Sequence, residues 1–106
     1  MKDTIIIQFK TTGAVEEFDW LIKIEDALSQ GFAQNGKAVV DGHDFGSGNM
    51  NIFIFPNGGW SAAIDIALAC LRRLGALDRA VIIKRSKTER YTVAWPTQFT
   101  GEFERL

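Results

Sequence analysis

One cysteine, one histidine and two prolines are all that this 106-residue chain holds of those residue types. A lone Cys70 excludes an internal disulfide and any multi-cysteine zinc site. Charge of one sign is missing too. Twelve Lys and Arg against 13 Asp and Glu leave a formal charge of -1, so no overall basic field draws the chain to nucleic acid. No apolar run approaches the roughly 18–20 residues that a membrane-spanning helix needs. Met1-Lys2-Asp3-Thr4 leads directly into a strand-like run rather than an apolar signal core. The expectation is therefore a cytoplasmic protein without membrane contact.

What is present is globular. Apolar residues make up 46% and charged residues 24%, unlike a disordered or low-complexity chain. The length suits one domain over residues 1–106. Thr4–Lys10 is β-branched and apolar at nearly every position, as in a strand buried on both faces. Thr11-Thr12-Gly13 breaks it. Val15, Phe18, Leu21, Ile22 and Leu28 recur at helical spacing and predict a helix over 14–30, stopped by Gly31. Glu16 and Glu17 sit where the helix dipole favours acids. A second strand is predicted at 37–41, a turn at 42–49 and a third strand at 50–55. Pro56–Gly59 reads as a turn. A helix over 60–74 buries Ile64, Ala67, Leu68, Leu71 and Leu74, and Gly75 ends it. Strands at 80–84 and 90–95 flank a polar turn at 86–89, and Pro96 ends the last. Phe99, Phe103 and Leu106 make the tail apolar.

This order predicts an α+β fold. It is a ferredoxin-like β-α-β-β-α-β plait with an additional C-terminal strand, both helices on one face of a mainly antiparallel sheet. The first and third strands are expected as parallel neighbours at its centre. The helix-free face would then carry Phe53 and Phe55, or Ile52 and Ile54. An apolar face of that kind needs a cover: the tail, or a second copy or partner. At the level of topology such a plait resembles acylphosphatases and small amino-acid-binding regulatory modules. Acylphosphatases place a glycine-rich loop with an arginine after the first strand. Thr11-Thr12-Gly13 has no arginine, so no catalytic role transfers.

Three groups of residues invite chemistry. Asp41 and His43 project to one face of an extended strand, with Asp44 adjoining, and could share a proton or a metal. The plainer reading is a polar hairpin mouth, and neither a metal nor a cofactor is expected. Gly58, Gly59, Trp60 and Ser61 open a helix after a strand, so their N–H groups could receive an anion. No lysine follows in a phosphate-loop pattern. Third, the charges segregate. Glu16, Glu17 and Asp19 make the first helix acidic, whereas Arg85, Lys87 and Arg90 make the last hairpin basic. Opposite patches on a near-neutral chain suit protein partners, although basic residues also protect a sheet edge. No RNP-type aromatic consensus surrounds Phe53 and Phe55. Trp20 with Ile24 and Ala27 forms a second apolar edge on the first helix. Trp60 is expected partly exposed and Trp95 beneath the tail. Cys70 reads as a small buried residue.

The functional expectation is a non-enzymatic, bacterial-type interaction or regulatory module. It would mask a protein partner as immunity proteins do, with self-association as a variant. The alternatives are a small-ligand or anion-binding module, and a small enzyme built on Asp41, His43 and Asp44.

Overall fold

The computed structural model describes residues 2–99, 101–103 and 105. Met1 and Leu106 lie outside the described residues. The elements are β1 (Thr4–Lys10), α1 (Glu17–Ala33), β2 (Ala38–Gly46), β3 (Asn49–Pro56) and α2 (Trp60–Arg73). A 3-10 turn (Leu77–Arg79) then leads to β4 (Ala80–Arg85) and β5 (Tyr91–Trp95). The fold is α+β, with two helices and one five-stranded sheet of order β2-β3-β1-β4-β5. Every neighbouring pair is antiparallel.

β1 is central because its side chains can be buried on both sides. Ile5, Ile7 and Phe9 face the helices, and Ile7 stands between Ile52 of β3 and Ile82 of β4. Burying each such side chain contributes about 1.5–3 kcal/mol. Leu21, Ile24, Leu28 and Phe32 of α1, with Ala63, Ala67, Cys70 and Leu71 of α2, close the same core. Both helices therefore share one face. β1 and β3 are indeed central neighbours, but they run antiparallel rather than parallel. Each helix carries the chain back past one strand position, and the skipped position is filled by a strand of opposite direction.

Several boundaries move. α1 starts at Glu17, leaving Val15 92% exposed in the preceding turn. Gly31 does not end it. A Cβ built on Gly31 would lie 3.5 Å from Ile66 Cγ2, an ordinary contact, and the helix runs on through this residue. The stop lies beyond it, where the Gly36 N–H donates to the Phe32 carbonyl at 2.8 Å and Gly36 takes φ +68°. Gly75 does end α2, at φ +69°. Its N–H donates to Arg72 O at 3.1 Å and the Ala76 N–H to Leu71 O at 2.9 Å, the Schellman pattern. Leu74, the C-cap, is exposed rather than core. β2 continues through Gly46 where a turn was expected. A bulge between Val40 and Gly42 inserts Asp41, and only Ser47 and Gly48 form the turn. Their φ values of 52° and 80° are those of a tight hairpin whose twist matches its strands.

Ile52 and Ile54 turn to the helices, while the helix-free face carries Phe53 and Phe55. Ile6 and Ile83 are fully buried there, yet Thr4, Gln8 and Asn51 are buried beside them. The tail lies over part of this face. Phe103 sits 6.4 Å from Tyr91 and 6.2 Å from Phe99, and it borders a cleft with Gln8 and Asn49. Trp95 instead turns to the helix side and donates its Nε1–H to Leu77 O at 3.4 Å. Among the described residues no helix is long and apolar enough to cross a membrane.

Candidate interaction surface

β2 is an edge strand, paired only with β3. α1 lies along its helix side. His43 is opposite Ile52 and so faces α1. Its Nδ1 stands 3.0 and 3.1 Å from the two Glu25 carboxylate oxygens. A carboxylate only accepts, so Nδ1 carries the proton and donates. Both side chains keep some solvent contact, 26% for His43 and 16% for Glu25.

Two exposed aromatic rings stand beside this pair. Phe18, in the first turn of α1, is 5.9 Å from His43 and 5.8 Å from Phe45 near the end of β2. The His43 and Phe45 rings meet edge to face at 6.2 Å. Phe18 is 52% and Phe45 44% exposed. One exposed aromatic is ordinary; two in contact form a local apolar patch. Around them Glu16, Asp19 and Asp26 of the α1 segment, and Asp41 and Asp44 of β2, are all exposed. Farther along the same strand, Phe32, Ala38 and Val40 line a hollow of about 200 Å³ beside the exposed Val39. No family model, no curated protein and no solved structure matches this chain. Its own surface chemistry therefore carries the functional argument.

The structure separates the Asp41, His43 and Asp44 group. The bulge breaks the alternation that would put Asp41 and His43 together. Asp44 faces the helix-free side and accepts from Asn51 Nδ2 at 2.9 Å. Among the described residues no group of three or more His, Cys, Asp or Glu is placed to hold a metal. Asn51 in turn accepts from Gln8 Nε2 at 2.9 Å. The acceptor-only Asp44 thus sets the direction of both amides. Spacing could not show either Glu25–His43 or this relay, since their partners lie 18 and 43 residues apart.

The other two groups fare differently. Gly58 and Gly59 are exposed, Gly59 is the N-cap of α2, and Ser61 makes no capping bond. Trp60 is half-buried, with Lys84 Nζ 5.8 Å from its ring centre. Among the acids, Glu16 and Asp19 face water, but Glu17 turns inward. Its carboxylate accepts the Thr12 N–H at 2.9 and 3.0 Å and the Gly13 N–H at 3.0 Å. Arg79 Nη2 donates to it at 3.2 Å, and the Arg79 Cζ lies over the Trp20 ring, 4.3 Å from its centre. The Thr12 N–H above all, with Arg79 and Gly13, holds the Glu17 carboxyl below its ordinary value despite the opposing effect of burial. Of the basic group, Lys87 and Arg90 are exposed, while Arg85 is half-buried and donates to Thr4 Oγ1 at 3.4 Å. Burial pushes the Cys70 thiol up, and Arg73 only partly offsets it, which leaves a poor nucleophile.

Proposed function

We propose that this chain is a non-enzymatic protein-interaction module that masks a partner through the α1–β2 surface. Its strand order β2-β3-β1-β4 with both helices on one face is read as a ferredoxin-like plait, which β5 extends beyond β4. The contact between exposed Phe18 and Phe45 beside the Glu25–His43 pair carries the functional reading. Clustered aromatics within a charged rim have the composition of an interface centre. The dispersal of Asp41, His43 and Asp44 supports no acid–base site. A cytoplasmic setting goes with this reading.

A second reading has one observation in its favour. A cleft of about 460 Å³ lies between the sheet and the tail, bordered by Gln8, Lys10, Thr12, Arg79, Val81 and Phe99. That is a small-ligand size. It favours a ligand-binding module over an anion site at Gly58–Ser61.

The test is affinity capture from the native lysate with the unmodified protein and the Phe18→Ala/Phe45→Ala variant. Both should give the same amide spectrum outside the patch. The unmodified protein should retain one stoichiometric partner, and the variant at least tenfold less. Equal retention by both would overturn the reading.

A further inference from the structure

We infer that the occupant of this surface is an extended basic segment of a partner protein, added as a sixth strand along β2. The inference rests on the interaction reading above and names the chemistry of the partner.

Four features converge. First, β2 is the longest strand, with nine residues, so its open edge runs about 30 Å. An edge strand offers unpaired backbone groups to an incoming chain. Second, the stretch after the bulge, Gly42–Gly46, pairs regularly with β3 up to Asn49. A regular stretch can template a neighbour, whereas a bulge cannot. Third, its two faces differ. His43 and Phe45 look toward α1 and Phe18, and Asp44 looks to the helix-free side. A strand alternating apolar and cationic residues would meet apolar rings on one face and a carboxylate on the other. Fourth, the exposed charges of the α1 segment and of β2 itself are mostly acidic, Glu16, Asp19, Asp26, Asp41 and Asp44 against Lys23, whereas Lys37 and, beside Val39, Lys2 and Lys87 set cations at the other end of the strand, away from Gly42–Gly46.

The same charges select among occupants. A second copy approaching through its own β2 would bring Asp41 and Asp44 against their like, which opposes β2-to-β2 pairing. An acidic segment is repelled for the same reason. A basic segment is drawn in and held, and its association should weaken as salt rises.

The test follows backbone amide shifts of the full chain during titration with three peptides. The first alternates lysine with valine and phenylalanine over nine residues. The second has glutamate for lysine. The third keeps the lysines but carries N-methyl groups on the edge that would face β2. The lysine peptide should move Gly42–Gly46 first, at least tenfold more tightly at low salt than at 0.3 M, and the other two should bind at least tenfold more weakly. Asp41→Lys should weaken the lysine peptide about tenfold, and the exposed position of Asp41 keeps the fold intact.

Equal binding of the glutamate peptide would overturn the basic partner while leaving the docking surface standing. Equal binding of the N-methylated peptide would overturn strand addition. No movement of Gly42–Gly46 at millimolar peptide would overturn the inference, whereas the masking reading stands or falls on the Phe18 and Phe45 capture result. Concentration-dependent shifts of Gly42–Gly46 and Lys84–Arg90 without peptide would instead name a second copy as the occupant.

Discussion

Glu17 and Arg79, 62 residues apart in sequence, meet at 3.2 Å where the loop after β1, the start of α1 and the turn before β4 come together. The contact is more than a surface ion pair, because the same carboxylate also receives the Thr12 and Gly13 N–H groups. Arg79 donates in addition to Lys10 O at 3.1 Å. One side chain thus anchors a loop that has little other backbone pairing.

That arrangement sets a pH dependence. The folded-state pKa of Glu17 lies below its ordinary 4.5. The stabilisation is therefore fully present above that value and is lost as pH falls through the depressed folded value. Urea unfolding from pH 7 to pH 3 should show a falling midpoint below about pH 4.5. Glu17→Gln should start lower at pH 7 and fall less steeply. Parallel curves for the two proteins would contradict this.

Two glycines should respond in opposite directions. Gly31→Ala adds a methyl at ordinary contact distance from Ile66 and removes helix-interior flexibility. It should stabilise by about 0.5–1 kcal/mol. Gly36→Ala meets no atom, but at φ +68° the backbone is strained for alanine, so it should cost about 1–2 kcal/mol. Denaturant midpoints of both variants check the pair.

Asn51→Ala removes the middle of the Gln8–Asn51–Asp44 relay and should cost about 1–3 kcal/mol. Asn51→Asp should cost more at neutral pH, because it sets a buried carboxylate against Asp44. That excess should shrink on acidification, as the new acid takes up a proton more readily when folded. Thermal unfolding at pH 7 and pH 5 distinguishes the two variants.

Cys70 should be nearly inert to a thiol-reactive dye in the native protein and react fully in concentrated denaturant. Its burial and raised pKa both suppress the thiolate. Fast native labelling would show that α2 opens readily.

The parts of the fold that could be read from sequence are those where local pattern and tertiary burial agree. β1 announces itself through Ile5, Ile6 and Ile7, and the end of α2 through Gly75. The readings that failed have a common physical origin. Val15 and Phe18 keep helical spacing with Leu21 and Leu28, yet they point to solvent, because spacing alone does not say which apolar stripe a helix buries. Gly42, His43 and Asp44 have the composition of a turn, but pairing with β3 overrides it. The acidity of the first helix was visible. The patch itself was not, since Phe18 and Phe45 meet only once α1 folds back along β2.

The antiparallel placement of β1 has a consequence during synthesis. Thr4–Lys10 leaves the ribosome before its partners in β3 and β4, Ile5 pairing with Ile54 and Lys84. At ordinary translation rates the wait for β4 is on the order of ten seconds. Until β3 emerges both edges of this most fully buried strand are open, and from then until β4 one edge still is. The segment that organises the finished sheet is thus also the nascent chain's main aggregation hazard, and chaperone demand should concentrate there.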